Sequence, residues 1–173
     1  MLKIAGILMI VIGTTYYGFF LSFKQKSRIR RLKAFRQTIE LLSGQIRYAY
    51  TSIPEAFLHI ADKSGYSYIH DFYGYVGNML MNKECVDFTD AWNQGIHKYV
   101  QDVFLTEFDC EILKNVGTMP VYLDGDMQIK VLEETSGELE HLITEGESKL
   151  KEKCKIYQCT GFIAGIFIVL VLI

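Results

Sequence analysis

The sequence has 173 residues, enough for one ordinary domain and too few for two large independent cores. Half of the residues are apolar and 22 % are charged, a mixture of membrane-like and polar composition. Only 2 prolines occur, so long disordered linkers are not expected, and the formal charge of −2 conceals a segregated pattern.

Residues 24 to 36 carry seven bases (Lys24, Lys26, Arg28, Arg30, Arg31, Lys33 and Arg36) and no acid. Residues 149 to 155 carry Lys149, Lys151, Lys153 and Lys155 against Glu152. Between these collars, residues 37 to 148 hold 19 acids and six bases. Such an acidic middle repels phosphates, which disfavours a nucleic-acid partner.

The first predicted element is a membrane helix. Residues 4 to 23 contain no charge over 20 positions, and about 20 helical residues cross a hydrocarbon core of roughly 30 Å. A cleavable signal would have a shorter apolar stretch and a small-x-small cleavage site. Here Tyr16, Tyr17, Phe19 and Phe20 lead straight into the basic collar, so an uncleaved anchor over residues 1 to 23 is expected.

Ile29, Leu32, Phe35, Ile39, Leu42, Ile46 and Ala49 then recur every three or four positions, the stripe of a long amphipathic helix. After a break near Thr51, Ser52-Ile-Pro-Glu55 reads as a capping box with Pro in the first turn. The helix it opens carries Ala56, Phe57 and Ile60 and stops by Gly65. A third carries Ile69, Phe72, Val76 and Leu80; a fourth follows Asp87 and buries Trp92, Ile96, Tyr99 and Val103. Thr106 and Asp109 cap a fifth with Phe108, Ile112 and Val116, which stops at Gly117. After Pro120 and Gly125, a sixth runs through Met127, Val131, Leu139, Leu142 and Leu150. No strand alternation or hairpin turn interrupts these signals, so the fold class is all-α.

The last element, residues 159 to 173, is uncharged and apolar all round, unlike a soluble helix with one polar face. With residues 156 to 158 and snorkelling of Lys155, it is expected to form a second membrane helix over residues 156 to 173. Gly161-x-x-x-Gly165 has the spacing that lets membrane helices pack closely. The basic excess lies just inside both segments, which places residues 24 to 155 in the cytoplasm and both termini outside. The expected architecture is a cytoplasmic bundle of about six helices hung from the membrane by its first and last.

Chemistry-bearing constellations are sparse. Cys85, Cys110, Cys154 and Cys159 form no C-x-x-C pair and read as packing thiols. Glu138-x-x-His141 shares one helical face, but a di-iron bundle needs a second such pair and further carboxylates. No phosphate-binding loop, H-E-x-x-H or G-x-S-x-G occurs, so neither an enzyme nor a metal or other cofactor is expected. Asp124 and Gln128 are four apart on one helix face, with Lys130 about 120° beyond Gln128. Asp124 either caps the sixth helix or, with Gln128, orders the corner and contacts a partner.

Several local motifs resemble the stage III sporulation protein AB family, along the whole chain. They are Leu2-Lys3, Thr14-Thr15-x-x-Gly18, Ile46-x-Tyr48-x-x-Thr51-x-x-Pro54-x-Ala56, Ala91-Trp92, Leu113-Lys114-x-x-Gly117, Asp124-x-x-x-Gln128-x-Lys130 and Gly161-Phe162-x-Ala-Gly165. The sequence departs from the family pattern at Gln45, Val116 and Pro120-Val121. The resemblance implies kinship with the cytoplasmic domains of type II secretion and type IV pilus F-type platform proteins. It also implies a place in the mother-cell membrane around the forespore, as a platform for a cytoplasmic ATPase, stage III sporulation protein AA. A homo-oligomer is left open. Two other readings stand beside it: a membrane-bound metalloenzyme using Glu138 and His141, and an adaptor of an unrelated division or pilus system.

Overall fold

A computed structural model describes residues 2–49, 51–82, 87–101, 104–119 and 125–172. The order is α1 (Leu2–Gly44), a π-helical turn (Gln45–Ala49), α2 (Ile53–Lys63), α3 (Ser67–Met81) and α4 (Phe88–Gly95). A second π-helical turn (Ile96–Val100), α5 (Glu107–Asn115), a 3-10 turn (Val116–Thr118) and α6 (Gly125–Leu172) follow. No strand occurs among the described residues. The chain divides into two units, one of Met1–Ile29 with Thr144–Ile173 and one of Arg30–Ile143.

In the second unit the expected α1 stripe is buried at Leu32, Phe35, Ile39 and Leu42. Trp92 is 0 % exposed and stands at the centre of an aromatic cluster. Its ring lies edge-on to Phe72 at 4.8 Å and within 5.9 Å of Phe57, Tyr73 and Phe88. The indole Nε1 donates to the Leu113 carbonyl at 2.8 Å, so the burial leaves no unmet donor. Gly117 permits the approach of the chain after α5: a Cβ there would lie 2.9 Å from Trp92 Cδ1. Tyr73 joins the core with its hydroxyl 2.9 Å from Thr38 Oγ1, and burial pushes its phenol well above the ordinary range.

The caps divide. Asp87 Oδ1 accepts the Asp90 N–H at 2.8 Å, and Thr106 with Asp109 forms the full reciprocal box that opens α5. Ser52 occupies the N-cap of α2 but its side chain makes no cap bond, contrary to expectation. Pro54 removes one donor from that first turn, and the Ser52 carbonyl alone takes the Ala56 N–H at 2.9 Å.

Several phases differ from the predicted stripes. The π turn Ile96–Val100, closed by Gln101 N–H to the Ile96 carbonyl at 2.8 Å, inserts an extra residue. Val100 therefore enters the core and Tyr99 is left half-buried, while Val103 lies outside the described residues. Phe108 is 58 % exposed, because the box buries Asp109 and aims Cys110, Ile112 and Leu113 inward. In α6, Met127 is exposed, and the buried stripe is Gln128, Ile129, Leu132, Thr135, Leu139 and Ile143. Two polar members broke the apolar pattern; Thr135 is satisfied by donating to the Val131 carbonyl at 2.9 Å.

Candidate functional site

The first unit pairs the amino-terminal part of α1 with the carboxy-terminal part of α6 through small residues. Thr14, Gly18 and Ser22, spaced four apart, line α1; Cys154, Gly161 and Gly165 answer on α6. A Cβ at Gly18 would lie 2.5 Å from the Tyr157 carbonyl oxygen and 3.4 Å from Gly161 Cα. One at Gly161 would lie 2.8 Å from the Thr14 carbonyl oxygen, and one at Gly165 would collide with Thr14 Oγ1. The backbones meet where side chains are missing, the contact that small-x-x-x-small spacing permits.

Thr14, Ser22 and Cys154 find partners locally or across the seam, whereas the buried Thr15 Oγ1 has none among the described residues. Thr14 Oγ1 donates back to the Ile10 or Val11 carbonyl, at 3.0 and 3.2 Å. Ser22 Oγ lies 3.1 Å from the Cys154 carbonyl, and Cys154 Sγ lies 3.7 Å from the Ser22 carbonyl. Further along, Gly146 receives Ile29, whose Cδ1 would be 3.2 Å from an added Cβ. The large apolar side chains point away from the seam. Tyr16, Tyr17, Phe19 and Phe23 on α1, and Phe162, Ile163, Phe167 and Leu170 on α6, are all exposed.

Among the described residues one helix, α6, is long and apolar enough to cross a membrane by length and composition. The amino-terminal span expected over residues 1 to 23 begins in residues 1 to 5, whose side chains lie outside the described set.

The other singled-out residues are distributed as follows. Lys26, Lys151, Lys153 and Lys155 are exposed, Lys24 and Arg28 half-buried, and Lys149 reaches Glu145 at 2.8 Å. Arg30 and Lys33 are exposed. Two members of the first collar are used by the bundle itself. Arg31 stacks over Tyr68 and Phe104 at 4.3 and 4.9 Å, and Arg36 pairs with Glu40 and Glu140 at 2.9 and 3.3 Å. Asp124 lies outside the described residues. Gln128 is only 6 % exposed, whereas Lys130 is exposed with its ammonium 4.0 Å from Glu134. The two therefore do not share a surface. Glu138 and His141 are exposed, and no group of three or more His, Cys, Asp or Glu is disposed for a metal ion among the described residues. Cys110 and Cys154 are buried as expected; Cys159, read as a packing thiol, is instead exposed on α6, and Cys85 lies outside the described residues.

Sequence reasoning missed Ser22, and with it the seam partner of the packing thiol Cys154. The regular spacing of Thr14, Gly18 and Ser22 was the available signal.

A family model described as stage III sporulation protein AB matches residues 3–173. The chain belongs to the stage III sporulation protein AB family. It is 25 % identical over 172 residues to stage III sporulation protein AB of Bacillus subtilis (strain 168), covering 99 % of each chain. A solved structure of stage III sporulation protein AB shares the fold, with a TM-score of 0.63 at 22 % identity over 72 % of this chain and 96 % of that one. The motifs that resemble stage III sporulation protein AB are distant in sequence but meet in the structure. Thr14 and Gly18 meet Gly161 and Gly165 in the seam, and Trp92 meets Leu113 and Gly117 in the core.

Proposed function

We propose that this chain is a two-pass membrane scaffold in a secretion-like sporulation complex between mother cell and forespore. Residues 1 to 23 and 156 to 173 cross the mother-cell membrane surrounding the forespore. Residues 24 to 155 stand in the cytoplasm and dock a stage III sporulation protein AA-type ATPase. The observation that carries this reading is the inside-out character of the helix pair. Small and polar groups line its seam, bulky apolar groups face outward, and the lysines gather at one end. In lipid, helices associate through packing of small residues and satisfied polar groups, not by hiding apolar surface from water. The lysine-rich end is the cytoplasmic one by the positive-inside rule.

The metalloenzyme reading gains nothing from Glu138 and His141, which are exposed on α6 without further ligands among the described residues. Membership of a sporulation family argues against an adaptor of an unrelated system. The test is affinity capture of the tagged full chain from membranes of sporulating cells. The ATPase should be retained through washing, and its loss when residues 24 to 155 are deleted would place docking on the bundle. Recovery of the chain without the ATPase contradicts the docking role.

A further inference from the structure

The seam has one antiparallel register. Thr14 meets Gly161 and Gly165, Gly18 meets Tyr157 and Gly161, Ser22 meets Cys154, and Ile29 meets Gly146. Each step forward along α1 is thus matched by about one step back along α6. Continued between Ser22 and Ile29, this register brings Lys24, Lys26 and Arg28 to the level of residues 148 to 152. Lys151, Lys153 and Lys155 then lie within a turn of the α1 bases, with Glu152 among them and Glu145 and Glu147 within a turn of Arg28. Lys149 is turned aside to Glu145, at 2.8 Å. On an α-helix Lys151 and Lys155 are about 40° apart and Lys153 about 160° from each, so α6 presents positive charge on two sides. Four residues of either helix rise about 6 Å, close to the thickness of one headgroup layer.

We propose that these six bases form a belt that selects anionic phospholipid headgroups around the helix pair. The proposal rests on the membrane reading above. Lysines at the membrane surface attract anionic lipids strongly, over a distance limited by the ionic strength. The belt is a ring of such charges on two sides of one hairpin, where a topology signal alone would require only their presence on the chain. Its ligand is the net-anionic headgroup of a lipid such as phosphatidylglycerol, held beside the exposed apolar side chains that would contact the acyl chains. The phosphodiester of that headgroup, unlike that of phosphatidylcholine, has no tethered cation to offset it.

The test uses the purified full chain reconstituted into vesicles of phosphatidylcholine with phosphatidylglycerol. Spin-labelled analogues of each lipid report how strongly each is restricted at the protein surface. The wild type should prefer the labelled phosphatidylglycerol by roughly threefold or more, and salt should reduce that preference. Lys151→Gln/Lys153→Gln/Lys155→Gln should bring the ratio towards one, while the matching triple Lys→Arg variant should keep it. A charge-matched control, Lys63→Gln/Lys114→Gln/Lys130→Gln, should also keep it. An unchanged ratio in the first variant, or an equal loss in the control, overturns the belt. Displacement by inorganic phosphate beyond that caused by chloride of the same ionic strength would make it a soluble-anion site and overturn the lipid assignment. If neither lipid is restricted, the membrane reading fails and the belt fails with it.

Discussion

Ser22 and Cys154 each direct a side chain at the other's backbone: Ser22 Oγ to the Cys154 carbonyl at 3.1 Å, and Cys154 Sγ to the Ser22 carbonyl at 3.7 Å. The one Ser22 hydroxyl proton is shared between the Cys154 carbonyl and the Gly18 carbonyl of its own helix at 3.2 Å, so the exchange adds a directional contact to a register set by the glycines. Ser22→Ala should weaken the pairing by about 0.6 kcal/mol, the mean for interhelical hydrogen bonds in membranes, and by no more than about 1.7 kcal/mol. Gly161→Leu should be far more damaging, because its Cβ already meets the Thr14 carbonyl at 2.8 Å. Unfolding in mixed detergent should rank wild type, Ser22→Ala and Gly161→Leu in that order; equal stability of all three would mean that the seam does not hold the two helices together.

The two predicted capping boxes give a paired comparison. Thr106→Ala removes a hydroxyl that accepts the Asp109 N–H at 3.2 Å and should cost about 1 kcal/mol. Ser52→Ala removes no cap bond and should stay within about 0.5 kcal/mol. Thermal melting of the full chain in detergent separates them, and a larger loss at Ser52 would refute the assignment.

Around Trp92 the packing has no slack. Gly117→Ala places a methyl 2.9 Å from Cδ1 and should destabilise by about 1–3 kcal/mol through overpacking. Trp92→Phe leaves the Leu113 carbonyl without its indole donor and opens a cavity, so a loss of about 2–4 kcal/mol is expected. Denaturant midpoints at constant slope would measure both.

Tyr73 makes stability depend on alkaline pH. Its folded phenol is held above the ordinary value of 10.0 by burial, while the unfolded phenol ionises near that value. The folded state then binds more protons, so stability is intact below about pH 10 and falls as pH rises beyond it. Tyr73→Phe should cost about 1 kcal/mol at neutral pH, since Thr38 keeps its 2.8 Å bond to the Phe35 carbonyl. It should also flatten the alkaline fall. Parallel loss in both proteins from pH 9 to 11 would assign the effect elsewhere.

Legibility followed the physics of each signal. Apolar stripes at ordinary helical period placed Leu32, Phe35, Ile39, Phe72 and Trp92 in the core, and Thr106 announced its cap. The period alone could not reveal the π turn at Ile96–Val100, which depends on how the chain closes onto Gln101. The apolar period did not place Gln128 and Thr135 in the buried stripe, because burial of a polar side chain is compensated by hydrogen bonds or contacts formed only after folding. Gly161 and Gly165 were visible as a motif, but their partners stand some 150 positions earlier and no local pattern names them.

A single engineered disulfide tests whether the first and last helices pair as one membrane anchor. Ser22→Cys is made in a chain whose Cys85, Cys110 and Cys159 are Ser, leaving Cys154 as the only other thiol. Oxidation in isolated membranes should give a crosslink within one chain, seen as faster migration without reductant and abolished by Cys154→Ser. Absence of that species, or crosslinks only between chains, would contradict the seam and the scaffold built on it.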